Sequence, residues 1–581
     1  MQRTTQGVSL AAALFAAAAI GQEAPVRLEK PDNPAAARGE QQTSAPGQNR
    51  ARITGTPTVR ITQVNVNNSQ QNIVGDAANE PSLAHDPNAP SRIAVGWRQF
   101  DTIASNFRQA GTAWSNDSGR TWHASTLDPD VFRSDPVLRA NVDGKILYNS
   151  ITGDFLDWFF ESTDGGQNWS GPGPCFGGDK TWFAVDKTSG PGRGFLYLNW
   201  NDGGNNYSPN TFARSPDGGN TFESLEPLPN SPAFGTSYVG PDGELYIFGS
   251  PSAATSSTFF LLKSTNANNA LVMPTFTSKT LSMGGAIRLN VAGSPNPGGL
   301  LGQSQVVVDT SNGPRRGWVY LLATVDPTGT DQSDITFSRS INGGATFSTA
   351  VKINPEAAAA SSWQWFGTLG ISPSGRLDVV YNSTDGTGSV NVSKLMYISS
   401  SDGGFSWSTP LQVTSTFNST IGQPSQNKIG DYYDIESDDL GASVIMAATF
   451  TGGQDVYYIR IGAEDCDRNG RDDAVDIAFG FDPDCNGNGV PDSCDIASGF
   501  STDFNHDGRP DGCIAGCPGD FNLDGFVEDA DFVMFSYSYD LLLCTDPAMP
   551  PACRADLNAD GFVDDADFSI FAAAYDALVC P

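Results

Sequence analysis

The chain has 581 residues, 17% of them charged, and a formal net charge of −32. That length predicts more than one domain, and that charge excludes a nucleic-acid-binding role, because so acidic a surface repels phosphate. The excess is uneven: residues 465–581 carry 25 Asp and Glu against four Arg and no Lys, so this segment needs cations to fold compactly.

In chain order, residues 1–21 read as a secretory signal: Arg3 is the early charge, 8–20 is an apolar run, and Ala19-Ile20-Gly21 offers a small-residue cleavage site. No later run approaches the roughly 20 apolar residues of a membrane span. Eight of the nine cysteines follow residue 465, a dense even set that suggests disulfides and an oxidising compartment, whereas Cys175 stands alone as an unpaired thiol. Together these features predict a secreted or cell-surface protein. Residues 22–56, rich in Pro, Ala, Gln and Gly without hydrophobic period, predict a flexible linker.

Residues 57–462 consist of short β-rich runs divided by Gly, Asn, Asp and Ser, which predicts an all-β repeat architecture. An octapeptide of the form Ser-x-Asp-x-Gly-x-Thr-Trp recurs at 115–122, 162–169, 215–222, 340–347 and 400–407, with Asn342 replacing the aspartate once and Phe closing two copies. Its chemistry is that of a tight turn. The carboxylate accepts from turn N–H groups, Gly takes a positive φ, and the closing aromatic enters the core. Asp117, Asp164, Asp217 and Asp402 are therefore structural rather than catalytic.

The octapeptide resembles the Asp-box of the sialidase-like (BNR-repeat) β-propellers, which implies an Asp-box propeller with its boxes at the blade periphery. Aligned on the boxes, blades begin near Glu80, Asp135, Asp179, Gly235, Gln303, Trp363 and Asp431. The last has no box and no outer strand, and the strand-like run 58–64 is the natural donor, closing the ring and removing an exposed edge. This favours seven blades, with six as the alternative.

In such a propeller the inner-strand starts face a central funnel. The candidates there are Glu80, Asp135, Asp179, Lys180, Gln303, Trp363, Trp365, Asp431, Tyr432 and Tyr433. Aromatic faces stack on sugar rings and acids bond hydroxyls, so the expected role is binding of extracellular glycan or protein. Glu80, Lys180, Trp365 and Tyr433 are the binding candidates. The alternative is glycoside hydrolysis, exo-sialidase or xyloglucanase-like, with Asp135, Asp179, Asp431 and Tyr432 as acid, base and nucleophile candidates; a structural surface protein is the third reading. The sialidases hold a substrate carboxylate with three arginines, the first in a Phe/Tyr-Arg-Ile-Pro motif. Here Arg60-Ile61-Thr62 is the nearest approach, and Arg98, Arg139, Arg288 and Lys180 are the replacements available. The xyloglucanase-like propellers, with two aspartates, fit an acidic funnel better.

Residues 463–516 carry a repeat of period 19. Oxygen donors stand at loop positions 1, 3, 5 and 9: Asp465, Asp467, Asn469 and Asp473, then Asp484, Asn486, Asn488 and Asp492, then Asp503, Asn505, Asp507 and Asp511. Asp476 and Asp495 supply position 12 and Gly stands at position 6, the pattern of a calcium loop. The segment resembles thrombospondin type 3 repeats. If each bridge joins position 2 of one repeat to position 11 of the next, the pairs are Cys466–Cys494 and Cys485–Cys513. Residues 517–581 repeat with period 36, offering Asp520, Asn522, Asp524, Glu528 and Asp531, then Asp556, Asn558, Asp560, Asp564 and Asp567, each set leading into an amphipathic helix. This duplicated loop-helix resembles a dockerin domain, which implies calcium and a cohesin-like or cell-surface partner. Its extra cysteines suggest Cys517–Cys544 and Cys553–Cys580 within each half.

Overall fold

The structure, a computed structural model, describes residues 42–43, 59–252, 256–359, 361–384, 389–467, 469, 471–503, 508–510, 519–522, 526–546, 548–550, 553–558 and 560–577. The expected signal segment lies outside these residues. Of the expected linker, Gln42–Thr43 is described and pairs antiparallel with Ile73–Val74.

The first sheet is a four-stranded antiparallel meander of Ala77–Asp86, Ala89–Phe100, Gln109–Ser115 and His123–Leu127. The pattern then repeats, with first strands Ser134–Ala140, Trp182–Val185, Ala233–Val239, Ser304–Val308, Gln364–Ile371 and Asp434–Ser437. Each first strand lies against the next in chain order, and Asp434–Ser437 returns to Ala77–Asp86, so the sheets close a ring: a β-propeller. In the last sheet Asp455–Gly462 pairs antiparallel with Val59–Gln63, Ile61 opposite Ile459, so the N-terminal run supplies the outer strand that the sequence lacked there.

Packing explains the sequence pattern. A blade is covered on both faces by its neighbours, so inner strands read as unbroken small or apolar runs, and Gly441–Ala448 is buried at every position. One core cluster crosses the ring seam, combining Val64, Ile93, Val95, Trp97 and Trp122 with Ile445, Val456 and Tyr458.

The octapeptides form the expected turns. In 400–407, Asp402 accepts from Phe405 N (2.9 Å), Ser406 N (3.0 Å), Ser406 Oγ (2.6 Å) and Ser400 Oγ (2.8 Å), with Gly403 and Gly404 at φ 79° and 80°. The bonds recur around Asp117, Asp217 and Asn342.

The C-terminal region carries helices α1 (Asp473–Phe479), α2 (Asp492–Ser498), α3 (Asp529–Leu541) and α4 (Asp565–Ala577). Cys466 is bonded to Cys494 as expected, Cα to Cα 6.0 Å. Cys485 is also disulfide-bonded, and its expected partner Cys513 lies outside the described residues. Cys175 is a free, buried thiol. The structure corrects the pairing in the second repeat: Cys544 bonds Cys553, not Cys517, and Cys553 is thereby unavailable to Cys580. The cause is local. Leu543 forms a bridge with Phe562 and Cys544 N donates to Gly561 O, so the segment after α3 runs beside the second loop and meets its start.

Candidate functional site

The start of an inner strand is not a regular strand. Glu80, Asp135, Lys180, Phe234 and Phe366 stand at equivalent positions and have φ of 52°, 51°, 58°, 52° and 56°. Strand register shifts across four of these positions, so the backbone bulges and turns the side chain out of the sheet plane. A positive φ at a non-glycine residue is strained, and such residues concentrate where geometry is put to use. Pro or Gly follows four of the five, as Glu80-Pro81, Asp135-Pro136, Phe234-Gly235 and Phe366-Gly367.

These bulges assemble a buried charge cluster. The Lys180 ammonium lies 2.6 Å from Asp431 Oδ2, 3.2 Å from Asp135 and 3.9 Å from Glu80. Lys428 stands 2.9 Å from Asp431 and 3.4 Å from Glu80, and Arg98 stands 3.2 Å from Glu80. Asp431 is held further by Leu300 N, which donates to its Oδ1 at 2.9 Å. Each partner is needed, because buried charges without counter-charges cost several kcal/mol.

The titration behaviour divides the acids. Burial alone would raise Asp135 and Asp431, but the charges of Lys180, Lys428 and Arg98 outweigh it and hold both below the usual carboxylate range. Burial pushes Asp179 up to about 6, with Lys180 only partly offsetting it and Asp135 and Asp431 adding repulsion. Glu80, fully buried, is raised to about 8 by the same desolvation despite its three cations. Lys180 stays charged: burial disfavours its ammonium, but Asp135, Asp431 and Glu80 raise it well above its ordinary value.

Above the cluster opens a cavity of about 170 Å³, whose walls include Asp135, Asp179, Lys180, Asp431, Phe155 and Phe234. Asp179 borders it, and its carboxylate accepts from Asn201 Nδ2 at 3.2 Å. Of the expected residues, Asp135, Asp179, Lys180 and Asp431 line this cavity, and Glu80 lies beneath them. Tyr432 is placed behind it: its hydroxyl donates to Pro136 O at 2.8 Å, and burial raises it well above its ordinary value, so no free phenolate faces the cavity. Trp365 and Tyr433 are core residues. The Trp365 indole donates to Ser393 Oγ at 3.0 Å, and the Tyr433 hydroxyl donates to Ala447 O at 2.8 Å. Trp363 and Gln303 are buried too. The residues that sequence reasoning missed are Arg108, Lys428, Phe132, Phe155 and Phe234; Phe234-Gly235 was legible as one more bulge dipeptide.

Of the cations considered for carboxylate binding, Arg98 and Lys180 reach the site. Arg60 is on the outer strand of the last sheet with Glu464, and Arg288 pairs with Asp326. Arg139 pairs with Asp434 at 2.8 Å at the far mouth of the ring, in a separate cavity of about 680 Å³.

The tail loops bring their oxygens together. In the second, Asp484 accepts from Asn488 N (3.1 Å) and Gly489 N (2.8 Å), and the side chains of Asn486 and Asn488 reach Asp495 at 2.6 and 3.0 Å. Asp473 Oδ2 is buried without a hydrogen-bond partner, and Asp495 is fully buried and accepts from the side-chain amides of Asn486 and Asn488. Buried carboxylates with oxygen-rich surroundings fit a hard divalent cation such as calcium. Asp531 and Asp567 each accept from two successive loop N–H groups, those of Phe521 and Asn522 and those of Leu557 and Asn558, so the two halves fold alike. Asn505, Asp507, Asp511 and Asp524 lie outside the described residues.

No family model and no curated protein matches the sequence. Similar solved structures include a protein of unknown function from Dyadobacter fermentans DSM 18053, 15% identical, TM-score 0.40, covering 70% of this chain and 100% of its own. The phage phi92 endosialidase is 10% identical, TM-score 0.40, over 71% of this chain and 70% of its own. The Hadza microbial sialidase Hz136 is 12% identical, TM-score 0.34, over 66% of this chain and 65% of its own.

Proposed function

We propose that the protein is a secreted, seven-bladed, sialidase-like propeller that binds a hydroxyl-rich extracellular ligand, a glycan, in the cavity above Lys180, and that its calcium-folded, dockerin-like tail tethers it to a surface partner. The observation that carries the reading is the convergence of Asp135, Asp179, Lys180 and Asp431 on one small cavity walled by phenylalanines. Carboxylates and ammonium groups bond sugar hydroxyls, and phenyl faces cover the apolar face of a ring. Because Lys180 and Lys428 already face the ionised Asp431, a neutral sugar fits better than an anionic one. The seven-blade count is supported by the cyclic order of the inner strands and the Val59–Gln63 closure. In the tail, Asp484, Asn486, Asn488 and Asp495 would hold one calcium ion, which would neutralise carboxylates that otherwise repel.

The division of the acids favours a second reading, glycoside hydrolysis. Asp179, raised to about 6, suits the general acid, and Asp135, held ionised, suits the base or nucleophile. Tyr432 is not needed in it. A glycan-array screen of the full chain in calcium, followed by mass spectrometry of each hit after incubation, tests both. Retention without release supports binding, and release that vanishes in Asp179→Asn supports hydrolysis. An array on which no glycan is retained contradicts both.

A further inference from the structure

We infer that the first two calcium-type repeats form a latch across the seam of the propeller ring, so that a divalent cation in the 484–495 loop stabilises ring closure as well as the tail. The inference rests on the calcium reading of that loop. The seam is where the N-terminal strand Val59–Gln63 joins the last sheet beside the first one. Glu464, the first acidic residue of the tail, spans it: one oxygen accepts from Arg60 Nη2 at 2.5 Å, on the closing strand, and the other lies 2.6 Å from Arg120, on the first blade.

The second repeat continues the grip. Arg120 also donates to the Gly489 carbonyl at 2.5 Å, and Arg92 donates to the Ser498 carbonyl at 2.6 Å, with α2 lying against Ala89–Phe100. Arg120 occupies the sixth position of its octapeptide, where the other four have Gln167, Asn220, Ala345 and Phe405. The first box thus carries an arginine at the blade against which α2 lies.

The carbonyls being gripped belong to the loop. Asp484 fixes the turn that presents Gly489, and Asp495, in the first turn of α2, ties the helix that ends at Ser498 to the loop through Asn486 and Asn488. A cation that draws Asp484 and Asp495 together orders both carbonyls against the arginines. Without it, repulsion between the carboxylates opens the loop and releases the clamp. The latch sits at the end of the blade opposite the candidate cavity, since Arg92 lies near the start of the strand Ala89–Phe100 and Arg98, which lines the cavity, near its end. Ligand access is therefore unaffected.

All eleven tryptophans precede residue 408, whereas the proposed calcium ligands follow residue 464, so tryptophan fluorescence reports the propeller alone. Thermal unfolding of the full chain is followed by this signal after chelation and after calcium is restored. Calcium is expected to raise the midpoint by about 2–5 °C. In Asp484→Asn/Asp495→Asn the shift is lost. In Arg92→Ala/Arg120→Ala it is also lost, while isothermal titration still counts as many calcium ions as in the parent. An unmoved midpoint in the parent, or a shift that persists in Asp484→Asn/Asp495→Asn, overturns the latch. The parent and that variant decide the matter if the arginine variant does not fold.

Discussion

Asp179 and Asp431 both feel the charge of the Lys180 ammonium, yet burial and neighbours drive them in opposite directions. For Asp179 the folded value is raised above the ordinary carboxylate value of 3.8 to about 6, so the stability it contributes is fully present below the ordinary value and is lost as pH rises through about 6. Asp179→Asn, which mimics the protonated acid, is therefore expected to unfold at a higher temperature than the parent at pH 7.5 and at the same temperature near pH 3.5. Parallel melting curves at the two pH values check this, and equal midpoints at pH 7.5 would contradict it. Asp431 behaves as a keystone instead: it binds Lys180, Lys428 and Leu300 N, and Asp431→Ala removes the shortest ion pair of each of the two buried lysines. Loss of about 3–5 kcal/mol is expected, read by chemical denaturation. That makes Asp431→Ala a poor probe of ligand binding. Asp135, Asp179, Lys180 and Asp431 were legible in the sequence because acids and a lysine recur at blade starts, but Arg108 and Lys428 stand away from those starts, and Trp365 and Tyr433 were not separable from the cavity residues. A bulge turns one side chain to the channel and its neighbour into the core, and no spacing rule tells which.

The octapeptide turns and the closing strand are the elements that the sequence announced best. Each turn is local chemistry within eight residues, so residue types alone specify it. Asp402→Ala removes four hydrogen bonds from one turn and is expected to cost about 1–3 kcal/mol, with ligand binding unchanged because the box lies away from the cavity. Ile61 is fully buried and pairs opposite Ile459, so Ile61→Ala is expected to cost about 2–4 kcal/mol, and removal of residues 59–63 to expose the edge of Asp455–Gly462 and favour aggregation, read by light scattering. The tail was legible only in part. The 19-residue period gave Cys466–Cys494, because neighbouring repeats stack in sequence order. Cys544–Cys553 was missed, because it depends on a bridge between Leu543 and Phe562 that no repeat alignment contains. Non-reducing peptide mapping is expected to recover a Cys544–Cys553 peptide, and a Cys517–Cys544 peptide would contradict the structure.

At the scale of the whole molecule, the ring places strained bulges from separate sheets around one cavity, and α2 of the acidic tail lies against the opposite end of the first blade. The far mouth of the ring, with Arg139, Asp434, Tyr238 and Glu436, is larger than the candidate cavity and supplies the natural control. The most direct measurement is the affinity of an array-identified glycan for the parent, for Phe155→Ala and Asp179→Ala in the cavity, and for Tyr238→Ala at the far mouth. Loss of at least about tenfold, or 1.4 kcal/mol, in both cavity variants with no change at the far mouth is the predicted result. Unchanged affinity in the cavity variants, or loss confined to Tyr238→Ala, would contradict the assignment of the site.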